Sequence, residues 1–378
     1  MAFPSGYTSY DEYVVQSSKV DDDLADFPVY VDLSDLSSQF WSTVRSDGGD
    51  IRVTLDDGTT QLPVEVVTID TGGETGEIHF KASSLSASAN TTFRIWVNGS
   101  DAMPAADSTY GSEAVWSDYG AVWHLDEDPS GTAPQAVDAT GNGNDLTSSG
   151  SMTDTDEVAG RLGNGWDFDG SNDYASGSAS FTGDTEGTVS AWLNRSGGSD
   201  TWLGVSDLGS NNNFLSLGCD INGKIAGRLK TTVDQWEWVG TASETAIPTS
   251  SMAFTAFTIG SGGNAAYLWD DDHSGAATPF YADGSSSSTE WLDDLSNLDT
   301  VAIGARRIGS TGQFWGGVID EVRIRSSAVS SSWLITEYAN QSDHSTWAVV
   351  TAKTSGASAA SDAPFSPRPL FRFIRRVA

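Results

Sequence analysis

The sequence predicts an all-β protein: two β-sandwich domains followed by an extended C-terminal tail. Three observations carry that expectation. Apolar and polar residues alternate with a period of two in short runs along most of the chain, the pattern of strands with one buried face. Gly, Asn, Asp and Ser collect between those runs, and Gly alone supplies 40 of 378 residues, so tight turns recur. A chain of 378 residues is also long enough for two domains of ordinary size, each with its own core.

Residues 1–103 form the first predicted sandwich. Phe27-Pro28-Val29-Tyr30-Val31-Asp32-Leu33 alternates, and Asp50-Ile51-Arg52-Val53-Thr54-Leu55 runs into the hairpin signal Asp56-Asp57-Gly58-Thr59. Leu62 to Val67, Glu77 to Ala82 and Thr91 to Val97 supply further strands. His79 lies in one of them with no second ligand in its own motif, so it reads as structural. Residues 104–111, rich in small residues, form a linker.

Residues 112–350 form the second predicted sandwich. Ala121-Val122-Trp123-His124-Leu125-Asp126 and Trp166-Asp167-Phe168-Asp169 alternate as strands, and Asp138-Ala139-Thr140-Gly141-Asn142-Gly143-Asn144-Asp145-Leu146 between them is a polar loop. Thr188 to Leu193, Trp202 to Val205, Asn213 to Leu217, Lys224 to Leu229, Gln235 to Val239, Ala253 to Ile259, Ala266 to Trp269 and Val301 to Gly304 continue the pattern up to Ile319-Asp320-Glu321-Val322-Arg323-Ile324. A single short helix is expected, with Ser330 or Ser331 as N-cap before Trp333, Leu334, Glu337 and Tyr338.

Residues 351–378 change composition to a Ser/Ala-rich linker and a basic, aromatic end. Five basic residues there face one acid, Asp362. Arg368, Phe371, Arg372, Phe373, Ile374, Arg375 and Arg376 are expected to anchor the chain to an acidic partner surface. The chain as a whole carries 19 Lys plus Arg against 52 Asp plus Glu, a formal charge of −33, which argues against nucleic acid as a partner. No apolar run is long enough to cross a bilayer, and the N-terminus shows no basic and apolar export signal. Cys219, the single cysteine, sits in an apolar strand and reads as a small core residue.

Trp-His-Leu-Asp, the Asp138–Leu146 loop, Asp167 to Tyr174, the Thr188 strand and Phe314 to Ile324 occur in an order that resembles a laminin-G-like module of the concanavalin A-like lectin/glucanase group, over residues 112–342. The resemblance implies a jelly roll of two antiparallel sheets. It also implies that the Asn-rich loop and the Ile-Asp-Glu strand share a Ca²⁺, which carries over to Asp138 and Asp320 and, with them, Asn142 and Asn144. The first unit, with Leu62-Pro63-Val64-Glu65 and the closing Asn90 to Gly99, resembles an uncharacterised family that commonly precedes such modules.

Glycan contact is expected at aromatic residues, with Trp236, Trp238, Trp269 and Trp315 as candidates. The Glu-x-Asp-x-x-Glu strand of glucanases in this group is missing, as are Gly-x-Ser-x-Gly and His-Glu-x-x-His, so the expectation is a protein without catalytic residues. The resulting expectation is a homo-oligomeric phage virion surface protein, held to other virion proteins by its tail and adhering to host-surface glycan. The alternative is an extracellular or cell-surface lectin, with a polysaccharide-degrading enzyme behind it.

Overall fold

The structure, a computed structural model, describes residues 6–181, 184–198, 200–231, 235–239 (backbone only), 246–260, 264–269 and 290–354. Every ladder between its strands is antiparallel, and two sandwiches account for nearly all of them. The all-β expectation holds.

In the first sandwich a five-stranded sheet runs in the order Ala348–Thr354, Ser9–Val15, Thr91–Val97, Arg52–Leu55, Gln61–Leu62. It faces a three-stranded sheet in which Thr75–Ala82 is flanked by Phe27–Asp32 and Val64–Asp70. Alternation decides the faces: Ile78 and Phe80 enter the core, so Glu77 and His79 point to the other side of the three-stranded sheet. The expected domain boundary at residue 350 falls inside the strand Ala348–Thr354, which pairs with Ser9–Val15 along its whole length. The chain therefore finishes its described course at the edge of the first sandwich.

The second sandwich packs two seven-stranded sheets around Trp123, Trp166, Phe168, Leu203, Leu217, Val301 and Ile319. One sheet centres on Gly316–Arg325 and Gly187–Leu193, with Ala253–Ile259 and Ala265–Trp269 beyond. The other runs Gln235–Val239, Ile225–Lys230, Phe214–Cys219, Thr201–Ser206, Thr300–Ile303, Tyr174–Gly177, Thr147–Ser149. Gly304, at φ 82°, turns the chain so closely over Phe168 that a Cβ there would lie 2.5 Å from the ring.

The expected helix spans Ser331–Ser342, and the Ser330 hydroxyl accepts from the Trp333 amide as its N-cap. It lies between the sandwiches. Trp333 meets Phe27 of the first, while Tyr338 stacks on Trp192 of the second, 5.6 Å between centroids, and Gln341 Oε1 accepts from Trp192 Nε1 at 2.6 Å. One apolar cluster consequently runs from the core of the first sandwich to the outer face of Trp192, Phe254 and Trp269 on the second. No helix among the described residues is long and apolar enough to cross a membrane.

Candidate functional site

The first candidate is a cleft on the outer face of the second sandwich. Along Ile225–Lys230, Ile225 and Leu229 are buried, which turns Ala226, Arg228 and Lys230 outward. On the neighbouring strand Leu215 and Leu217 fill the core, so Phe214, Ser216 and Gly218 share that outer face. A hairpin, Arg306–Ile308 with Ser310–Gly312, lies beside it. Between sheet and hairpin is a cleft of about 150 Å³ bordered by Asp200, Thr201, Ser216, Arg228, Arg306 and Gln313. The guanidinium groups of Arg228 and Arg306 lie 5.7 and 5.0 Å from the Phe214 ring centroid, and burial together with repulsion from Arg228 holds Arg306 below its ordinary pKa. Gly218 keeps the sheet within reach of the preceding loop, for a Cβ there would lie 1.9 Å from the Asp200 carbonyl oxygen.

Of the two carboxylates at this cleft, Asp220 is engaged by its own turn: Oδ1 accepts from the Asn222 and Lys224 amides at 2.9 and 2.8 Å, and Oδ2 from the Asn222 side chain at 3.0 Å. Asp200 is the carboxyl that remains, and burial raises its pKa. Glycoside hydrolysis uses two carboxyl groups across one groove. The cleft offers hydrogen-bond donors for sugar hydroxyls more readily than an acid and base pair.

Two of the four tryptophans expected to bind glycan are buried, which corrects that expectation for them. Trp269 (3% exposed) is covered by Tyr338 of the helix, and Trp315 (0%) sits in the core with Nε1 donating to the Asn194 carbonyl. A ring without an open face cannot stack on a sugar, so both are structural. Trp236 and Trp238 lie on Gln235–Val239, opposite Leu229 and Gly227, and their side chains fall outside the described residues. Each of the other described tryptophans is buried as well. The anchor residues Arg368, Phe371, Arg372, Phe373, Ile374, Arg375 and Arg376 also lie outside the described residues.

Most of the expected Ca²⁺ ligands accept from hydrogen-bond donors, although Asp320 Oδ1 is buried without one. Asp138 Oδ1 accepts from the amides of Val122 and Thr140 and from the Thr140 hydroxyl, and Oδ2 from the Asn144 amide. Asn144 Oδ1 accepts twice from Ser180, and the amide groups of Asn142 and Asn144 donate to carbonyls of Tyr119 and Gly120. Asp320 serves another loop, its Oδ2 accepting from the Arg161 and Leu162 amides. Asp138 and Asn144 thus shape their own turn while Asp320 holds a different loop, which argues against the shared Ca²⁺ site that the resemblance implied.

A second candidate was not legible as a motif. Glu77 and His79, on the outer side of the first sandwich, meet His124 and Glu321 of the second, and one ligand atom from each lies within 4.8 Å of all the others. This buried cluster could hold a metal ion. His124 Nδ1 is 2.5 Å from Glu321 Oε1 and Nε2 is 3.2 Å from Glu65 Oε2, while His79 Nε2 is 2.8 Å from Glu77 Oε1. The two imidazoles stack at 5.2 Å, and Arg323 donates to Glu321 and Glu337.

The electrostatics follow from burial. Burial alone would lower His124, but Glu321 and Glu65 outweigh it and hold the imidazole well above its ordinary pKa. Burial raises Glu77 and lowers His79. Burial would also raise Glu321, yet His124 and Arg323 overcome it and keep that carboxylate ionised.

A sandwich of two seven-stranded sheets with a cleft on its outer face, joined to the first sandwich across a buried charged seam, defines a lectin-like two-domain β protein. Residues 168–334 match the Laminin_G_3 family, described as the concanavalin A-like lectin/glucanases superfamily; this span covers most of the second sandwich and under half of the chain. No curated protein matches in sequence.

Among solved structures, the chain is similar to domain 4 of AbnA, an extracellular arabinanase from Geobacillus stearothermophilus, in complex with arabinotriose (19% identity, 59% of this chain and 98% of that one, TM-score 0.42). It is also similar to the CBM40 of the Ruminococcus gnavus IT-sialidase bound to α2,3-sialyllactose (14%, 40% and 81%, 0.33). A third is the NanB sialidase of Streptococcus pneumoniae (15%, 41% and 24%, 0.33), of which this chain spans about a quarter.

Proposed function

We propose that this protein is a non-enzymatic carbohydrate-binding protein working outside the cell that makes it, with the second sandwich as its binding module. The observation that carries the reading is the cleft itself: Arg228, Arg306, Gln313 and the paired hydroxyls of Thr201 and Ser216, 2.8 Å apart, line one outer face of a lectin-like sheet. Its volume is about 150 Å³, below the ~300–1,000 Å³ of pockets that engulf a drug-sized ligand, so it would take one ring or one chain end from the side. The match of residues 168–334 to a lectin-like family supports the same reading. The pairing of Asp220 with its own turn supports binding without cleavage.

No feature of the fold, the cleft or the family match supports a place on a virus particle. The extracellular or cell-surface lectin, the alternative raised by the sequence, therefore becomes the main reading. Glycan-array binding followed by calorimetry on the best ligand tests it. Arg306→Ala is expected to weaken binding at least tenfold with an unchanged circular dichroism spectrum, and the wild type is expected to release no reducing ends from that ligand. An array without a single ligand, or equal affinity in the Arg306→Ala protein, would overturn the proposal.

A further inference from the structure

We propose that Glu77, His79, His124 and Glu321 bind a first-row divalent transition metal, with Zn²⁺ as the reference ion, that fastens one sandwich to the other. The inference is independent of glycan binding and rests on the seam between the domains.

Topology delivers one pair of ligands from each side. Glu77 and His79 are two apart on Thr75–Ala82, so a strand that buries Ile78 and Phe80 in its own core must present both of them to the second sandwich. His124 follows Tyr119–Trp123, between the core residues Trp123 and Leu125. Glu321 arrives by a bulge. Ser190 pairs with Arg323 and Trp192 with Asp320, which leaves Ala191 opposite both Glu321 and Val322. Glu321 has φ 54° there, a left-handed conformation disfavoured for a residue with a Cβ, and bulges of this kind re-aim a side chain. Val322 keeps its place in the core while Glu321 turns out to meet His124.

The donor set selects the ion. Two imidazoles and two carboxylates, without thiols, suit zinc and its first-row neighbours, whereas Ca²⁺ asks for six to eight oxygens. Two atoms of the cluster, His79 Nδ1 and Glu77 Oε2, are buried without a hydrogen-bond partner, in residues 0% and 1% exposed. Such atoms are rare in folded proteins unless something engages them. Glu321 and Glu337 flank the buried Arg323, Glu65 and Glu321 flank His124, and among the described residues Glu77 has only His79 beside it, so a dication would compensate its charge.

The surroundings already resemble the outer sphere of a metal site. An ion would replace the proton shared by His124 Nδ1 and Glu321 Oε1, which must part from 2.5 Å to admit it, while His124 Nε2–H would still face Glu65, the carboxylate–histidine–metal arrangement that orients a ligand. Glu65 is itself held by the Trp116 indole, and Arg323 occupies only Oε2 of Glu321. An entry path exists, since a cleft of about 300 Å³ between Asp32 and Thr75 of one sandwich and Asp126 and Asn164 of the other reaches Glu77.

The test uses the full chain, stripped with a strong chelator and titrated with Zn²⁺ by calorimetry and with Co²⁺ by visible spectroscopy. One tight equivalent of Zn²⁺, intense Co²⁺ d–d bands of a low-coordinate site and a rise in Tm with Zn²⁺ that Ca²⁺ does not reproduce are expected. His79→Gln and Glu77→Gln should each lower Zn²⁺ affinity by more than the ~10–100-fold that loss of an outer-sphere partner costs. Several weak equivalents only, unchanged in His79→Gln, would mean surface carboxylates and would overturn the proposal, as would a wild type without Co²⁺ bands. The Co²⁺ titration of the wild type decides the matter if either variant fails to fold.

Discussion

Glu321 and Arg323 stand two residues apart on one strand, and a bulge at Glu321 shifts the alternation after the core residue Ile319 so that both side chains leave the core on the same side, where Arg323 grips Glu321 Oε2 at 2.5 and 2.9 Å. Arg323 also reaches Glu337 at 3.0 Å, tying the strand to the helix between the sandwiches. Both carboxylates are almost wholly buried.

Arg323→Ala should therefore destabilise the protein by about 3–5 kcal/mol, the cost of leaving buried charge without its partner. Urea unfolding measures it. A loss below about 1 kcal/mol would show that the seam is wetter than its burial implies.

Trp192→Ala should weaken the contact between the sandwiches more than it damages either one. Its ring lies between Tyr338 at 5.6 Å and the Arg161 guanidinium at 5.0 Å, outside the second core. Truncation of a buried Trp costs about 3–5 kcal/mol. Calorimetry should show a single thermal transition in the wild type become two in the variant.

The Asn-rich loop should be indifferent to calcium. EGTA or added Ca²⁺ should leave Tm unshifted at this loop, whereas Asp138→Ala, which orphans the amides of Val122, Thr140 and Asn144, should cost about 1–3 kcal/mol. A Ca²⁺-dependent Tm that Asp138→Ala abolishes would restore the calcium reading.

Cys219 is 5% exposed, and burial pushes its thiol up to about 11. Because the pKa is raised, the reactive thiolate is a minor species at pH 8, on the order of one part in a thousand. A disulfide reagent should label nothing in the native protein and one thiol after guanidinium is added; fast native labelling would contradict the burial.

Gly304→Ala should lower stability by more than about 1 kcal/mol, because it adds left-handed strain at φ 82° to a clash with Phe168. Thermal unfolding measured beside Gly312→Ala, where a Cβ meets nothing within 4 Å, separates strain from a general effect of losing glycine.

Much of the fold was legible because it depends on local patterning. Alternation marked Thr188 to Leu193 and Ile319 to Ile324 as strands, the second of which extends in the structure to Gly316–Arg325, and Ser330 announced the helix through its capping chemistry. The calcium expectation failed on an ambiguity of the same chemistry: an Asx–Gly loop looks alike whether its oxygens face a cation or its own amides, and here Asp138 faces amides. Trp269 misled in a similar way, since the apolar area that makes it attractive to a sugar also makes it good packing under Tyr338.

His79 was visible in the sequence, and so was the alternation that sends it away from its own core. The expectation that His79 has no second ligand in its own motif overlooked Glu77, two residues before it on the same face. Its partners across the seam were not visible, because His124 and Glu321 come from a different domain and carry no spacing relative to it. By itself the sequence determined the strands, their faces and the two-sandwich architecture, since those follow from periodicity, turns and capping within a few residues. Only the tertiary structure decided that two histidines and two glutamates meet at the seam, and that a strand near residue 350 returns to pair with Ser9–Val15. Contacts between distant segments depend on how whole sheets pack, and no local pattern records that.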